Sequence, residues 1–495
     1  MQLPAPALMI ALLFSSPLWA QTGSPVVAQV NYEAIRSTRS ASALQVTEVI
    51  NVDGRLDEAA WELAPPVSDF IQWQPNHGAP ATEATEARFL YDQDNLYVGV
   101  TCFDSAMDQI TVNDITDDFV FGESDNVGIL LDSLNDDRSG FGFVVNPFGG
   151  RRDGQIANDG QASNWDWDAV WDVAVTRNGD AWVAEFVIPF KTLRFSSDEL
   201  QEWGLNLTRG IRRLNEESMW VPVPVRYRST RLSMAGTLRG LEGLRQGRNL
   251  KVKPFVTGGF TQTRDATLDV LVTDHDYDGG LDLKYGVTPS LTLDATYRTD
   301  FAQVEVDQQQ VNLTRFNLFF PEKREFFLEN SGTFQFGPGG NLVPFFSRRI
   351  GLGPDGSPIP IIGGGRLTGQ MGLNDIGLLA MKTESSGGVP SDSYVVGRFK
   401  RNLLANSWVG ALFTSRDSSI GGDYNRVYGA DAHFQFYNRL EFDSYLLRSA
   451  TPGLSEKDQA RRFQTAWRDD EVVVSGEYNE IQTNFNPEVG FVRRK

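Results

Sequence analysis

In Asn164-Trp165-Asp166-Trp167-Asp168, two indoles alternate with carboxylates beside an amide. Flat aromatic faces cover the apolar C–H face of a pyranose and planar polar groups pair its hydroxyls, so the pentapeptide holds the components of a sugar site. In a strand, Trp165 and Trp167 would share one side and Asp166 and Asp168 the other, but the stretch reads as a loop before a strand at Ala169 to Val175. In the plainer reading, both indoles only cover the end of a sheet and Trp171 belongs to the core. Arg151 and Arg152, after Asn146-Pro147-Phe148-Gly149-Gly150, could donate to hydroxyls or pair with a nearby Asp.

Asp114, Asp117, Asp118, Glu123 and Asp125 offer oxygen ligands in a loop-like stretch, which calcium would need, although charge runs are commonly just solvated. Asp274-His275-Asp276-Tyr277-Asp278-Gly279 copies half of a calcium-loop pattern, but its twelfth position is Tyr285, so it reads as a hairpin loop. Gly351-Leu352-Gly353-Pro354-Asp355-Gly356 matches a dinucleotide fingerprint only formally, because Pro354 and the lack of a following helix remove the anion site. Three scattered histidines and the single Cys102 make a poor zinc set and exclude an intrachain disulfide. No nucleophile elbow, zinc-protease helix or phosphate loop is present, and among 64 acidic residues no catalytic pair singles itself out. No catalytic residue is named; a catalytic version of this chain would be a glycoside hydrolase.

The elements that position these residues fall into two grammars. At 495 residues the chain exceeds the roughly 250–300 at which one core stops growing, so more than one domain is expected. A net charge of −19 argues against nucleic acid or anionic headgroups as partners. From 49 to 245, short strand-like runs alternate with Asp, Asn, Gly and Pro clusters, as in an antiparallel β-sandwich. The clearest are Glu86 to Tyr91, Asn95 to Phe103, Asn126 to Leu131, Phe141 to Asn146, Trp182 to Ile188 and Trp203 to Arg212; Arg177-Asn178-Gly179-Asp180 reads as a hairpin. From 246 to 495 the strands lengthen and alternate strictly: Leu291, Leu293, Ala295 and Tyr297 against Thr292, Asp294, Thr296 and Arg298, and Tyr428 to Phe436 likewise. The pattern predicts a transmembrane-type antiparallel β-barrel, with a soluble sandwich as the rival, since either rewards one apolar face. Between about 302 and 365 the alternation lapses into a Phe-, Gly- and Pro-rich passage that suits a plug folded into the lumen. Residues 1–20 read as an export signal with 21–48 as a linker. The ending Phe491-Val492-Arg493-Arg494-Lys495, without a final aromatic-ended strand, is expected of a C-terminally truncated barrel.

Val52-Asp53-Gly54-Arg55-Leu56-Asp57-Glu58-Ala59-Ala60-Trp61, followed by Tyr91-Asp92-Gln93-Asp94-Asn95-Leu96-Tyr97, resembles a family 9 carbohydrate-binding module. Ser124 to Asp132, Trp182 to Phe190 and Trp203 to Arg209 continue the likeness in the family's order. Phe320-Pro321-Glu322-Lys323-Arg324-Glu325-Phe326-Phe327-Leu328-Glu329 and Phe346-Ser347-Arg348-Arg349-Ile350-Gly351 resemble the uncharacterised barrel-like domain that follows this module in bacterial envelope proteins. The resemblances together span nearly all of the chain after the export signal. They imply a β-sandwich, sugar binding and, in some members, structural calcium, although related sandwiches bind other molecules, including haem. The expectation is therefore an exported outer-membrane protein that binds a saccharide or glycan through the sandwich, is surrounded by lipid at the barrel, and serves polysaccharide capture, uptake or catabolism. A glycoside hydrolase-associated activity and a structural or assembly role with a protein partner are the alternatives.

Overall fold

The computed structural model describes residues 30–493 apart from 246–249, 266–269, 300–319, 354–356, 405, 438 and 470–471, and not every side chain between 261 and 276. The expected export signal and residues 302–319 therefore lie outside the described residues. The described residues from Tyr32 onward form one compact unit.

The first thirteen strands are β1 (Ser40–Gln45), β2 (Ile71–Gln74), β3 (Thr85–Tyr91), β4 (Asn95–Phe103), β5 (Asn126–Asp132), β6 (Gly140–Val145), β7 (Arg151–Ala157), β8 (Ala162–Asn164), β9 (Asp172–Asn178), β10 (Ala181–Pro189), β11 (Leu200–Ile211), β12 (Glu216–Met219) and β13 (Gly236–Glu242). They pack as two layers, β8-β7-β6-β5-β11-β13 and β3-β4-β10-β9, with β2 and β12 appended to β11. β1 serves both layers: Ser40–Ser42 pairs in parallel with β13, and Ala43–Gln45 in parallel with β3. Inward residues of both sheets, among them Phe89, Phe143, Trp182, Phe186, Trp203 and Trp220, build one buried core. Asp92 fixes the β3–β4 turn by accepting the Asp94 and Asn95 amides, both at 2.7 Å, and Gly179 supplies the positive φ of the β9–β10 hairpin. The expected strands are found within a few residues. The strand expected from Ala169 begins only at Asp172, because the buried Asp153 carboxylate accepts the Ala169 amide and holds the preceding residues as a loop.

The Val52 to Trp61 motif packs on the outside of the second layer. Its Trp61 and Leu56 lie where a Cβ on Gly99 would be, at 3.1 and 2.6 Å, and Glu185 accepts the Asp53 and Gly54 amides at 2.9 and 3.0 Å.

The remaining strands are β14 (Lys251–Asp265), β15 (Val270–Thr288), β16 (Leu291–Tyr297), β17 (Leu342–Val343), β18 (Ile361–Met371), β19 (Asn374–Thr383), β20 (Asp392–Leu404), β21 (Ser407–Ser418), β22 (Tyr424–Phe436), β23 (Leu440–Ala450), β24 (Gln459–Arg468), β25 (Val473–Ile481) and β26 (Phe491–Val492). All but β17 and β26 form an 11-stranded antiparallel meander with β14 and β25 at its edges. Among the described residues these edges do not pair, so the all-β expectation holds and no closed barrel is found. Eleven antiparallel strands make ten reversals, so the first and last run the same way, whereas bacterial single-chain barrels close with an even number. The Asp274 to Gly279 stretch, expected as a loop, lies inside β15.

The inner face of this sheet buries charged residues beside apolar ones, while the outer face carries exposed apolar side chains. In β20, Arg398 and Lys400 are buried on the inner face while Val395 and Phe399 are exposed, and Phe413, Tyr428, Leu446 and Phe463 extend the exposed apolar surface. Inner charges are paired: Arg398 donates to Asp431 at 2.6 and 2.9 Å and Arg366 to Asp294 at 2.8 Å. The passage from 320 onward folds onto this inner face, burying Phe326, Phe327, Phe334, Phe336 and Phe345 with Leu379, Val396, Leu412 and Val427. Arg324 stiffens it through Glu322 and the Ser347 and Ile350 carbonyls. β17 pairs with β26, which draws the chain beyond β25 back onto the passage that follows residue 320. No described helix is long and apolar enough to cross a membrane.

Candidate functional site

The outer face of the β11-β5-β6-β7 layer is paved with small residues, and Trp165 lies flat on it. A Cβ on Gly142 would stand 2.7 Å from the indole Cη2, and one on Gly154 would stand 2.6 Å from Cε3. Adjacent strands thus give up side chains at two positions to seat one ring. Phe121 meets the indole edge-on at 4.8 Å between centroids, and the Arg152 guanidinium lies 4.5 Å from the Phe121 centroid and 5.8 Å from that of Trp165. These contacts fix the orientation of the half-buried platform.

The platform forms one wall of a cleft of about 320 Å³, near the lower end of small-ligand sites, roughly 300–1,000 Å³. Its far side comes from β2 and β12. There the register passes from Glu217 opposite Gln74 to Ser218 opposite Gln72, leaving Trp73 as an extra residue in β2. Such a bulge re-aims a side chain, and Trp73 lines the cleft with Glu217, Ser218 and Arg228.

Several polar groups here lack a protein partner. In the lining, Trp73 Nε1 and Ser218 Oγ are buried without one; beside the platform, Arg152 Nε also lacks one, although its Nη1 donates to the Phe119 carbonyl at 2.6 Å. Buried polar groups are ordinarily satisfied, so a cluster of exceptions in one cleft marks a place for a polar ligand. Burial lowers the Arg152 guanidinium from its usual value, with Asp118 and Asp166 acting the other way. Burial likewise raises the Glu217 carboxyl, although the residue as a whole reaches solvent. Glu217 is the only carboxylate among the described residues lining the cleft.

The residues singled out from sequence divide. Trp165 lines the cleft, and Arg152 stands beside its ring without joining the lining. Trp167 does not: it is buried against Phe141 at 5.4 Å between centroids, inside the sandwich core. The loop held by Asp153 turns the chain between the two indoles, so the alternation of a strand does not apply to them. Trp171 is core, stacked on Phe186 at 5.8 Å. Arg151 takes the salt-bridge option, with Asp117 at 3.0 Å and Asp172 at 3.5 Å.

The carboxylates considered for calcium are dispersed. Asp114 accepts the Thr116 amide and hydroxyl in its own turn at 2.9 and 2.7 Å, Asp117 is committed to Arg151, and Asp125 accepts the Arg212 amide at 2.6 Å. With Asp118, whose carboxylate sits near Arg152, they gather into no metal-holding group among the described residues. This donor set does not fit calcium. The missed cleft residues, Trp73, Phe121, Glu217, Ser218 and Arg228, come from separate strands and loops. The sequence signal nearest to them is the glycines at 140 and 142 in β6 and at 154 in β7.

Residues 52–209 match a family model described as a carbohydrate family 9 binding domain-like module. Residues 248–361 match one described as a domain of unknown function, DUF5916. Among solved structures, a family 9 carbohydrate-binding module from Caldicellulosiruptor kristjanssonii in complex with cellotriose is 12% identical, over 41% of this chain and 95% of that one, with a TM-score of 0.31. The same module in complex with glucose gives 12%, 41%, 97% and 0.31, and a Bacteroides uniformis protein gives 12%, 41%, 99% and 0.35. No curated protein matches.

Proposed function

We propose that this is an exported envelope protein that captures a neutral saccharide in the Trp165 cleft and is held in the outer membrane by its 11-stranded half. The observation that carries the reading is an indole laid on two glycines beside unpartnered donors and a carboxylate. A pyranose needs both at once, an apolar plate for its C–H face and polar groups around its rim. The match of residues 52–209 to a carbohydrate-binding family model points the same way. A hydrolase would require two carboxylates flanking the bond, and the lining of this cleft supplies Glu217 alone, which favours capture over cleavage.

The membrane part of the proposal rests on the contrast between the two faces. Exposed Val395, Phe399, Phe413, Tyr428 and Phe463 on one face, with buried Arg366, Arg398 and Asp431 on the other, suit hydrocarbon outside and a polar, plugged interior. Capture followed by uptake or catabolism of polysaccharide is the role this arrangement would serve. The test is a glycan array and calorimetry on the full chain in detergent, beside extraction and heat-modifiable gel migration. Binding of a neutral glycan that is weakened in Trp165→Ala supports the cleft, whereas equal affinity rejects it. A chain that stays monodisperse in buffer without surfactant rejects the membrane half.

A further inference from the structure

The Trp165 cleft is the first of several cavities that share walls. Ser163 of β8 lines both the cleft and a second cavity of about 290 Å³, where the sandwich meets the plug. That junction is held by Asn164, which donates to the Leu328 carbonyl at 2.9 Å, and by Gln155, which accepts the Asn330 amide at 2.7 Å. Ser331 and Gln335 line both this cavity and a third, of about 240 Å³, inside the plug among Phe334, Phe336 and Phe345. Arg366 lines the third and a fourth of only about 40 Å³. The fourth is ringed by charge: Lys251 at 2.9 Å and Lys253 both hold Glu325, while Lys284 and Arg194 hold Glu329.

We propose that these cavities form a solute path, by which a small neutral saccharide taken up at Trp165 passes through the plug to the inner wall of the 11-stranded sheet, with the Glu325 and Glu329 ion pairs as its gate. This rests on reading the cleft as a sugar site and the sheet as a membrane wall. The chemistry changes in the order a polyol would use. Serine, asparagine and glutamine at the junction exchange hydrogen bonds with hydroxyls, and the phenylalanines inside the plug offer apolar faces to the ring. At the narrow end the walls are side chains rather than backbone, so parting two ion pairs widens the path without unfolding a strand. Three cavities of similar size leading to one much smaller are the form of a route with a single constriction.

The experiment uses the full chain reconstituted in phosphatidylcholine–phosphatidylglycerol liposomes, with radiolabelled glucose as the permeant and calorimetry of glucose and cellotriose in detergent alongside. Half-buried Ser331 stands where two cavities meet, so Ser331→Cys places a thiol in the path after folding. Cys102 is wholly buried and its thiol pushed up to about 11 by that burial, so a bulky methanethiosulfonate reagent reaches the new thiol alone. The expected result is glucose flux that falls to the protein-free level on labelling and returns with dithiothreitol, with affinity at the cleft unchanged throughout. Glu325→Ala leaves Lys251 and Lys253 to repel one another and is expected to raise flux severalfold. Flux indifferent to the label, or no flux in either wild type or Glu325→Ala, overturns the path. Sugar binding without flux leaves the cleft reading standing, whereas flux without binding removes the cleft reading and keeps the path.

Discussion

Replacing Trp165 by alanine removes the plate from the cleft while leaving the sandwich core intact, because the ring sits on Gly142 and Gly154 outside that core. An aromatic side chain buries roughly 150–250 Å², and a sugar covering one indole face takes about a third of that. At roughly 25 cal/mol per Å² the loss is about 1.5 kcal/mol, close to a tenfold rise in Kd. Trp167→Ala is the control: its buried ring makes truncation cost about 3–5 kcal/mol of stability, in the manner of core aromatics. Calorimetry with the glycan found on the array, beside near-ultraviolet melts of both variants, separates the two effects. Trp165→Ala should weaken binding and melt close to wild type, and Trp167→Ala should melt early. If Trp165→Ala binds as wild type, or only Trp167→Ala changes affinity in the fully folded protein, the assignment of the platform is wrong.

Gly154→Ala would set a methyl 2.6 Å from Trp165 Cε3 and 2.9 Å from the Asn164 carbonyl, so it should tilt the ring and lower affinity with Trp165 still present, as read by calorimetry and a shifted tryptophan emission. Burial raises Asp153 to about 7, with hydrogen bonds from Trp171 and Ala169 pulling it back. A folded pKa above the unfolded one means the native state holds its proton more tightly, so stability is greatest below about pH 4 for this group and falls as pH rises towards 7. The loss is at most about 4 kcal/mol at roughly 1.4 kcal/mol per unit, and Asp153→Asn should flatten that slope in melts from pH 4.5 to 8. Arg398→Ala strands Asp431, which also accepts the Gly337 amide at 2.8 Å, so it should cost about 3–5 kcal/mol and expose the plug near 337 to protease. Replacing both partners, Arg398→Met with Asp431→Leu, should recover much of the stability, and no recovery would show that the pair does more than neutralise itself.

The strands of the sandwich were legible because local alternation and turn residues such as Asp92 and Gly179 specify them without distant information. Trp165 was legible for a related reason, since an indole in a polar loop is conspicuous. Its partners were not. Trp73 and Glu217 are 144 positions apart in the chain and meet only because β2 pairs with β12, a long-range contact that no local pattern encodes. Trp167 could not be told from Trp165, because a loop carries no periodicity to say that one indole lies on the outer face and the other enters the core. The acidic run after Asp114 suggested an ion because composition shows charge and not its partners; Asp114, Asp117 and Asp125 are turned toward an amide, a hydroxyl or a guanidinium. In the second half, alternation revealed the two faces of the sheet but not its closure, which depends on strand number and on what meets the edges.

The shared strand β1 and its neighbour β13 have a mechanical consequence. β13 leads toward the meander and lies between β11 and β1 rather than at a rim, so tension from the 11-stranded half would run along its length. Its flanking hydrogen bonds would then be loaded together in shear, where an edge strand pulled sideways would peel open one bond at a time. The sandwich would therefore resist a pull transmitted through β13 better than one applied to a strand at its rim.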